Sequence, residues 1–280
     1  MGISLRTNVA SLEANTSLNL TNERLNSNMV RLSSGMRINR AGDDAAGLAI
    51  SERFKANIVS LDQNKRNAND GISLIQTAEG ALQEVSAILI RMRELTVQAA
   101  TDTVSTGQRG FIQNEFSELR SEIDRIGSTA SFNDLDLLDG GFAATANALT
   151  FQVDLSGDIN QQIQVQLATV SPSALGIDTM SLTGTTAARD ALSILDDAIQ
   201  GVSAQRATLG AAQNRLEAAI NNISTQFNNL SAANSRIRDV DVAEETAALA
   251  RNRILMQAGV SVLAQANQIP QLALQLLQGG

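Results

Sequence analysis

Between Ile254 and Gly280 no side chain carries a charge, a run of 27 residues in a chain whose composition is 18% charged. Within that run Leu255, Val262, Ile269 and Leu276 recur every seven residues, with Ala258, Gly259, Ala266, Leu272 and Ala273 filling the same side. This repeat predicts a helix with an apolar seam that contacts other helices. A membrane span is the rival reading for an uncharged run of this length. Gln257, Gln265, Asn267, Gln268, Gln271, Gln275 and Gln278 weigh against it, because each amide would need a partner inside lipid. No membrane insertion is therefore expected. The tail is expected to be buried against protein, and a single chain offers too little to bury it.

Composition limits what the tail can pack against. The chain has 280 residues and is 43% hydrophobic but only 2% aromatic, with seven Phe and no Trp or Tyr. Its prolines are Pro172 and Pro270. Cores must then be made of Leu, Ile, Val, Ala and Met, the filling of helix bundles. The lack of Cys excludes disulfides, thiolate metal sites and cysteine nucleophiles. The lack of His removes the commonest general base and the commonest metal ligand. A net charge of −8, with no basic patch interleaved with aromatics, disfavours nucleic acid as a partner. The segment Met1–Asn8 has neither the positive flank nor the apolar run of a secretory signal. Sequence chemistry alone therefore predicts a cytoplasmic chain, unless export takes another route.

Helical periodicity dominates the chain. Residues 1–40 place Leu5, Val9 and Leu12, then Leu18, Leu25, Met29, Leu32 and Met36, on a seam that slips phase once. Gly35, Gly42 and Gly47 break the pattern and predict a joint. A long helix over about 45–100 follows, with Ile75, Ala78, Leu82, Val85, Leu89, Met92, Thr96 and Ala99 three and four apart. After a polar turn at Thr101–Gly107, Ile112, Phe116, Leu119, Ile123 and Ile126 mark another helix. Residues 128–185 change character. Phe151, Val153 and Leu155 alternate with polar neighbours, as do Ile163, Val165 and Leu167, with Ser156-Gly157-Asp158 between them, which predicts a β-hairpin. From about Ala187 to Ile237 the seam returns without a break, enough for a helix of about 75 Å. The expected fold is mainly α, a long antiparallel helical bundle with a small β-hairpin region.

The two ends mirror each other. Arg37 and Arg40 precede Asp43 and Asp44, while Arg236 and Arg238 precede Asp239, Asp241, Glu244 and Glu245. Bases closing one helix and acids opening the next suit the helix dipoles. Both stretches read as joints, which would bring the two terminal helices side by side. The expected division is 1–42 with 240–280 as a terminal helical domain, and 43–239 as a rod that includes the 140–185 hairpin region.

No constellation for chemistry emerges. Gly42-Asp-Asp-Ala-Ala-Gly47 has phosphate-loop glycine spacing, but Leu48 and Ala49 stand where Lys and Ser or Thr are required, and the acids would repel phosphate. Asp134, Asp136 and Asp139 lack both a suitable ligand at Leu138 and a closing Glu for calcium. Arg91 with Glu94 reads as a solvated helix face. No catalytic, cofactor-binding or metal site is expected, and no enzyme activity.

The stretch Leu32-Ser-Ser-Gly-Met-Arg-Ile-Asn-Arg-Ala-Gly-Asp-Asp-Ala-Ala-Gly-Leu-Ala-Ile-Ser-Glu-Arg-Phe54 closely resembles bacterial flagellin. Arg66-Asn-Ala-Asn-Asp-Gly-Ile-Ser73, Ala78-Glu-Gly-Ala-Leu82 and Val262-Leu-Ala-Gln-Ala-Asn-Gln-Ile-Pro-Gln271 extend the match. The resemblance covers 1–140 and 185–280, leaving about 45 residues where large members carry outer domains. It implies a short, core-only subunit of the flagellar filament, a homopolymer serving swimming motility. Its terminal helices would form a channel-lining coiled coil. It further implies secretion through the flagellar type III apparatus, an export chaperone, and hook-associated and cap proteins as partners.

On that reading Leu5, Leu12, Leu18, Leu25, Leu32, Leu255, Val262, Ile269 and Leu276 are the expected polymer-interface positions. Ile90-Arg-Met-Arg-Glu-Leu-Thr-Val-Gln98 with Ile112-Gln-Asn-Glu115 looks like the segment read by the host innate flagellin receptor, at Arg91, Leu95 and Glu115. A hook–filament junction protein and another coiled-coil structural protein are the alternatives.

Overall fold

The structure, a computed structural model, describes residues 7–156, 158 and 161–278, with the backbone alone for 269–278. The helices are α1 (Val9–Ser34), α2 (Ala45–Ala99), α3 (Thr106–Thr129), α4 (Thr185–Arg238) and α5 (Val242–Gln278). Two antiparallel ladders pair β1 (Ser131–Phe132) with β2 (Leu135–Asp136), and β3 (Leu149–Gln152) with β4 (Gln162–Val165). At 55 and 54 residues, α2 and α4 are each about 80 Å long. The chain divides into two compact units, Met1–Ala56 with Asn229–Gly280, and Asn57–Asn228.

The 57–228 unit has a dry core. Every seam position predicted on α2, from Ile75 through Ala78, Leu82, Val85, Leu89, Met92 and Thr96 to Ala99, is completely buried. The buried hydroxyl of Thr96 is satisfied by Met92 O at 2.7 Å. Phe116 and Ile123 of α3 join them, with Leu195, Leu209 and Leu216 of α4. The α3 start is fixed by a capping box at Ser105, whose hydroxyl accepts from Gln108 N while the Gln108 side chain accepts from Ser105 N. The buried Arg109 guanidinium ties that start to the end of α2 by donating to Ala99 O and Thr101 O, at 2.9 and 2.8 Å. A cation on the last carbonyls of a helix opposes its dipole favourably.

The predicted hairpin forms, with Phe151 opposite Ile163 and Leu149 opposite Val165. Its strands are shorter than the alternation implied. Val153 and Leu155 leave the ladder because Gln152 turns its amide onto Asp154 O and Ser156 O, at 2.7 and 2.5 Å, and closes a wider loop. Gly157, predicted at the turn, lies outside the described residues. Gly71 on α2 lets this hairpin dock, because a Cβ there would stand 2.9 Å from the Phe151 ring. The β1–β2 turn went unread in the sequence. Asn133 and Asp134, at φ of 50° and 62°, supply the two left-handed residues of a tight hairpin turn.

In the other unit α1 and α5 pack side by side. Gly35 ends α1 at φ +69°, a left-handed cap that a residue with a Cβ adopts only under strain. An antiparallel bridge then joins Met36 to Asp239. Arg37 N donates to Arg238 O at 2.6 Å, and Val240 N to Gly35 O at 3.1 Å. The Arg37 side chain donates to Ile237 O at 2.7 Å, and Arg238 Nη1 pairs with Glu52 at 2.7 Å. The acids of 42–47 cap backbone. Asp43 accepts from Asn39 N and Arg40 N, and Asp44 from Gly47 N at 2.8 Å, which starts α2. The second joint is built alike, with Asp241 accepting from Ala243 N and Glu244 N at the head of α5.

Candidate assembly interface

The contact seam of the α1–α5 pair runs at strict three–four spacing. On α1 it runs through Ser11, Ala14, Leu18, Thr21, Leu25, Asn28 and Leu32, and on α5 through Glu245, Leu249, Asn252, Met256, Gly259, Leu263 and Ala266, with Arg31 and Ala248 half-buried beside it. This is the heptad pattern of a coiled coil. At one end Asn8 donates to Ala266 O at 2.9 Å and Ser11 to Asn267 Oδ1 at 2.8 Å. In the middle the helices come close at Gly259, where a Cβ would lie 3.0 Å from Leu18 Cδ1. At the other end Asn28 and Glu245 are buried together, 2.5 Å apart, with Asn252 donating to Asn28 at 2.7 Å. The apolar repeat does not reveal these polar members, Thr21, Asn28, Glu245 and Asn252. The one available signal is that the three–four spacing runs unbroken only when they are counted.

The predicted interface residues divide accordingly. Leu25 is buried in the pair, 8% exposed, and Leu18 and Leu32 are half-buried in the same seam. Leu12 is 66% exposed, Leu255 49% and Val262 56%. The Leu255–Val262 stripe stands one position off the seam, so α1 does not cover it. Met29, Ile254 and Val260 are exposed as well. Of these only Leu255 and Val262 share a heptad stripe, and an open apolar stripe on a two-helix pair is suited to a further helix. Leu5 lies outside the described residues, and Ile269 and Leu276 sit on the α5 backbone without described side chains.

In the 57–228 unit the structure brings two of the three predicted recognition residues into direct contact. The exposed Arg91 guanidinium donates to Glu115 at 2.8 and 3.1 Å and to Glu94 at 2.9 Å. Its pKa is held above the ordinary arginine range, chiefly by the hydrogen bonds to Glu115 and then Glu94. Leu95 is 2% exposed and belongs to the core, so the surface patch consists of Arg91, Glu94 and Glu115. A matching cross-helix pair joins Arg93 to Asp196 at 2.6 Å, and lowers the Asp196 carboxyl through that hydrogen bond. Such exposed pairs orient side chains more than they stabilise the fold. Among the described residues no group of three or more acidic side chains could hold a metal ion.

A closed apolar unit, and a terminal helix pair with an unclosed heptad face, define a mainly helical structural protein built to pack against other helices. The sequence comparisons narrow that class. Residues 5–143 match the bacterial flagellin N-terminal helical region, and 192–277 match the bacterial flagellin C-terminal helical region. The chain belongs to the bacterial flagellin family. It is 42% identical to the flagellar filament 33 kDa core protein of Treponema phagedenis, over 97% of this chain and 98% of that one. It is 45% identical to a flagellin of Bacillus subtilis and to one of Halalkalibacterium halodurans, each over 97% of this chain and 98% of the relative.

Proposed function

We infer that this chain is a structural subunit of the bacterial flagellar filament, an extracellular homopolymer, and that the α1–α5 pair is where subunits meet. The carrying observation is the apolar stripe of Leu255 and Val262 on α5, left open beside a seam that α1 already fills, with Leu12 of α1 exposed as well. Open, head-to-tail contacts of identical chains give helical polymers when the rotation does not close. Full-length relatedness to filament core proteins and flagellins favours a filament subunit over a hook–filament junction protein. Leu5, Leu18, Leu25, Leu32, Ile269 and Leu276 would support or extend that face. On this reading the terminal domain, 1–42 with 240–280, lines the channel and 43–239 forms the outer rod. Secretion proceeds by the flagellar type III route with an export chaperone, and the hook-associated and cap proteins bound the polymer.

Deleting Ile254–Gly280 tests this directly. The truncated chain should retain most of its helical circular dichroism and form no filaments by negative-stain microscopy. Filaments from the truncated chain would remove the tail from assembly. Val262→Leu should assemble and Val262→Glu should not, since a charge buried without a partner is strongly disfavoured.

Arg91 and Glu115, joined on the surface of the 57–228 unit, support a second role, recognition of the subunit by the host innate flagellin receptor. Leu95 would act there by holding α2 in place from the core. Purified monomer carrying Arg91→Ala should activate reporter cells less than the unaltered chain. An equal response, or none from either, would discard the idea.

A further inference from the structure

The dipeptide Asp-Gly occurs at Asp70-Gly71 and again at Asp139-Gly140. An aspartyl residue followed by glycine is able to close on itself. The glycine amide nitrogen attacks the aspartyl side-chain carbon, and a five-membered succinimide forms with loss of water. Glycine favours the step because it brings no side chain against the ring. The fold decides between the two copies, through whether that nitrogen is free and beside the carboxyl. At residue 70 it is neither. Asp70 and Gly71 lie inside α2, where the Gly71 amide is directed at the carbonyl four residues back. Helical side chains lean toward the helix N-terminus, so the Asp70 carboxyl points away from the peptide that follows it. The Phe151 ring also covers Gly71. At residue 139 both conditions hold. Asp139 is exposed, and its Oδ1 accepts from Gly141 N at 2.8 Å, which holds the carboxyl over the Asp139–Gly140 peptide. Among the described residues no hydrogen bond engages Gly140 N. The same turn requires the glycine, which stands at φ +102° with room for a Cβ denied by Thr169 Oγ1 at 2.5 Å.

We propose that Asp139 is a site of spontaneous backbone modification, converting to isoaspartate through a succinimide with Gly140. The bond from Gly140 N to Asp139 Cγ forms as the C–OH bond of the carboxyl breaks, and the amide proton leaves with that hydroxyl as water. Water then adds to the main-chain carbonyl carbon of residue 139 and breaks its bond to nitrogen. The chain now runs through the former side chain, one methylene longer, and the former main-chain carbonyl is a free carboxylate. Hydrolysis at Cγ instead restores aspartate. The added length falls between two anchored carbonyls. That of the fully buried Leu138 accepts from Val170 N at 2.9 Å, and that of Gly140 accepts from Ala143 N at 3.2 Å. Modification therefore loosens the 138–143 turn from the segment around Val170. The inference concerns the single chain and stands whether or not the chain polymerises.

The test ages the full chain in neutral buffer and digests it. Peptides bearing residues 70 and 139 are scored for isoaspartate by electron-transfer fragmentation and by labelling with a protein isoaspartyl methyltransferase. Residue 139 should accumulate isoaspartate at least about tenfold faster than residue 70, a barrier difference of about 1.4 kcal/mol. Aged in guanidinium chloride, where α2 is gone, the two should react at similar rates. Asp139→Glu would have to close a six-membered ring, and Asp139→Ser keeps an acceptor for Gly141 N but has no carboxyl carbon. Both should silence the site. Asp139→Asn should react faster, releasing ammonia in place of water. Chain modified at residue 139 should also unfold at a lower guanidinium midpoint than fresh chain, whereas the Ser variant aged alongside should not shift. No isoaspartate at residue 139, equal accumulation at both residues in the folded chain, or a difference that survives in guanidinium chloride overturns the proposal. An unshifted midpoint for the modified chain overturns its consequence for the turn. The comparison of residues 70 and 139 needs no variant, so it decides even where a substitution disturbs folding.

Discussion

The two units use the same helical period for opposite ends. In the 57–228 unit the apolar period meets itself: Leu82, Leu89, Phe116, Ile123, Leu195 and Leu209 are all fully buried in one cluster. In the terminal unit the seam between α1 and α5 mixes Leu18, Leu25, Leu32, Leu249, Met256 and Leu263 with small and polar groups such as Ala14, Thr21, Asn28, Asn252 and Gly259, while Leu12, Leu255 and Val262 stay exposed. A core closed by its own chain provides a stable body whatever the concentration. A pair that leaves Leu12, Leu255 and Val262 exposed would gain their burial only from other molecules. On the proposed filament reading, the difference separates folding from polymerisation in one sequence.

That separation can be broken experimentally. Phe116→Ala removes a fully buried ring and should lower stability by about 3–5 kcal/mol. Leu255→Ala, at an exposed position, should shift it by no more than about 0.5 kcal/mol while reducing the yield of sedimentable polymer. Equal losses of stability from both, by chemical denaturation, would erase the distinction.

Two glycines sharpen it further. A Cβ at Gly127 would fall on the backbone oxygen of Val170, which cannot swing aside, so Gly127→Ala should destabilise by about 1–3 kcal/mol. At Gly259 a Cβ meets only the mobile end of Leu18, and helix propensity favours Ala by roughly 1 kcal/mol. Gly259→Ala should therefore be neutral or stabilising. A loss as large as that of Gly127→Ala would mean that the α1–α5 seam is packed as tightly as the rod core.

The smallest effect concerns acid. The Asp43 carboxyl lies below its ordinary 3.8 because Arg40 N, and then Asn39 N, donate to it in the folded turn. A depressed folded value means that this carboxylate stabilises the joint above its unfolded pKa, and that the contribution is lost as pH falls through the folded one. Asp43→Asn should flatten the dependence of helicity on pH below about 4, read by circular dichroism. An unchanged acid profile would remove Asp43 from the joint.

Much of this was legible in one dimension because burial in the rod follows a simple rule. All eight α2 positions picked by spacing are wholly buried, and Ser51, Leu61 and Ala68 earlier on the same helix are buried with them. The joints were legible too, since bases and acids at helix ends carry their own electrostatic reason. Where neighbours come from afar, reading failed. Within α2 a glycine at position 71 only lowers helix propensity, and its use is visible once Phe151, eighty residues on, fills the space above it. Leu95 read as a surface residue beside Arg91 and is core. The heptad Leu255–Val262 was visible, but it stands beside the α1 contact seam.

By itself the sequence determined where the long helices lie, that the two terminal helices return to each other, and the family to which the whole belongs. Only the tertiary structure decided which stripe of each terminal helix faces its intramolecular partner and which stays exposed. Heptad spacing marks a helix face to within one position and says nothing of its occupant. Asn28 shows why. Its polarity assigns it to solvent until Glu245 and Asn252, more than two hundred residues away, supply the hydrogen bonds that permit its burial.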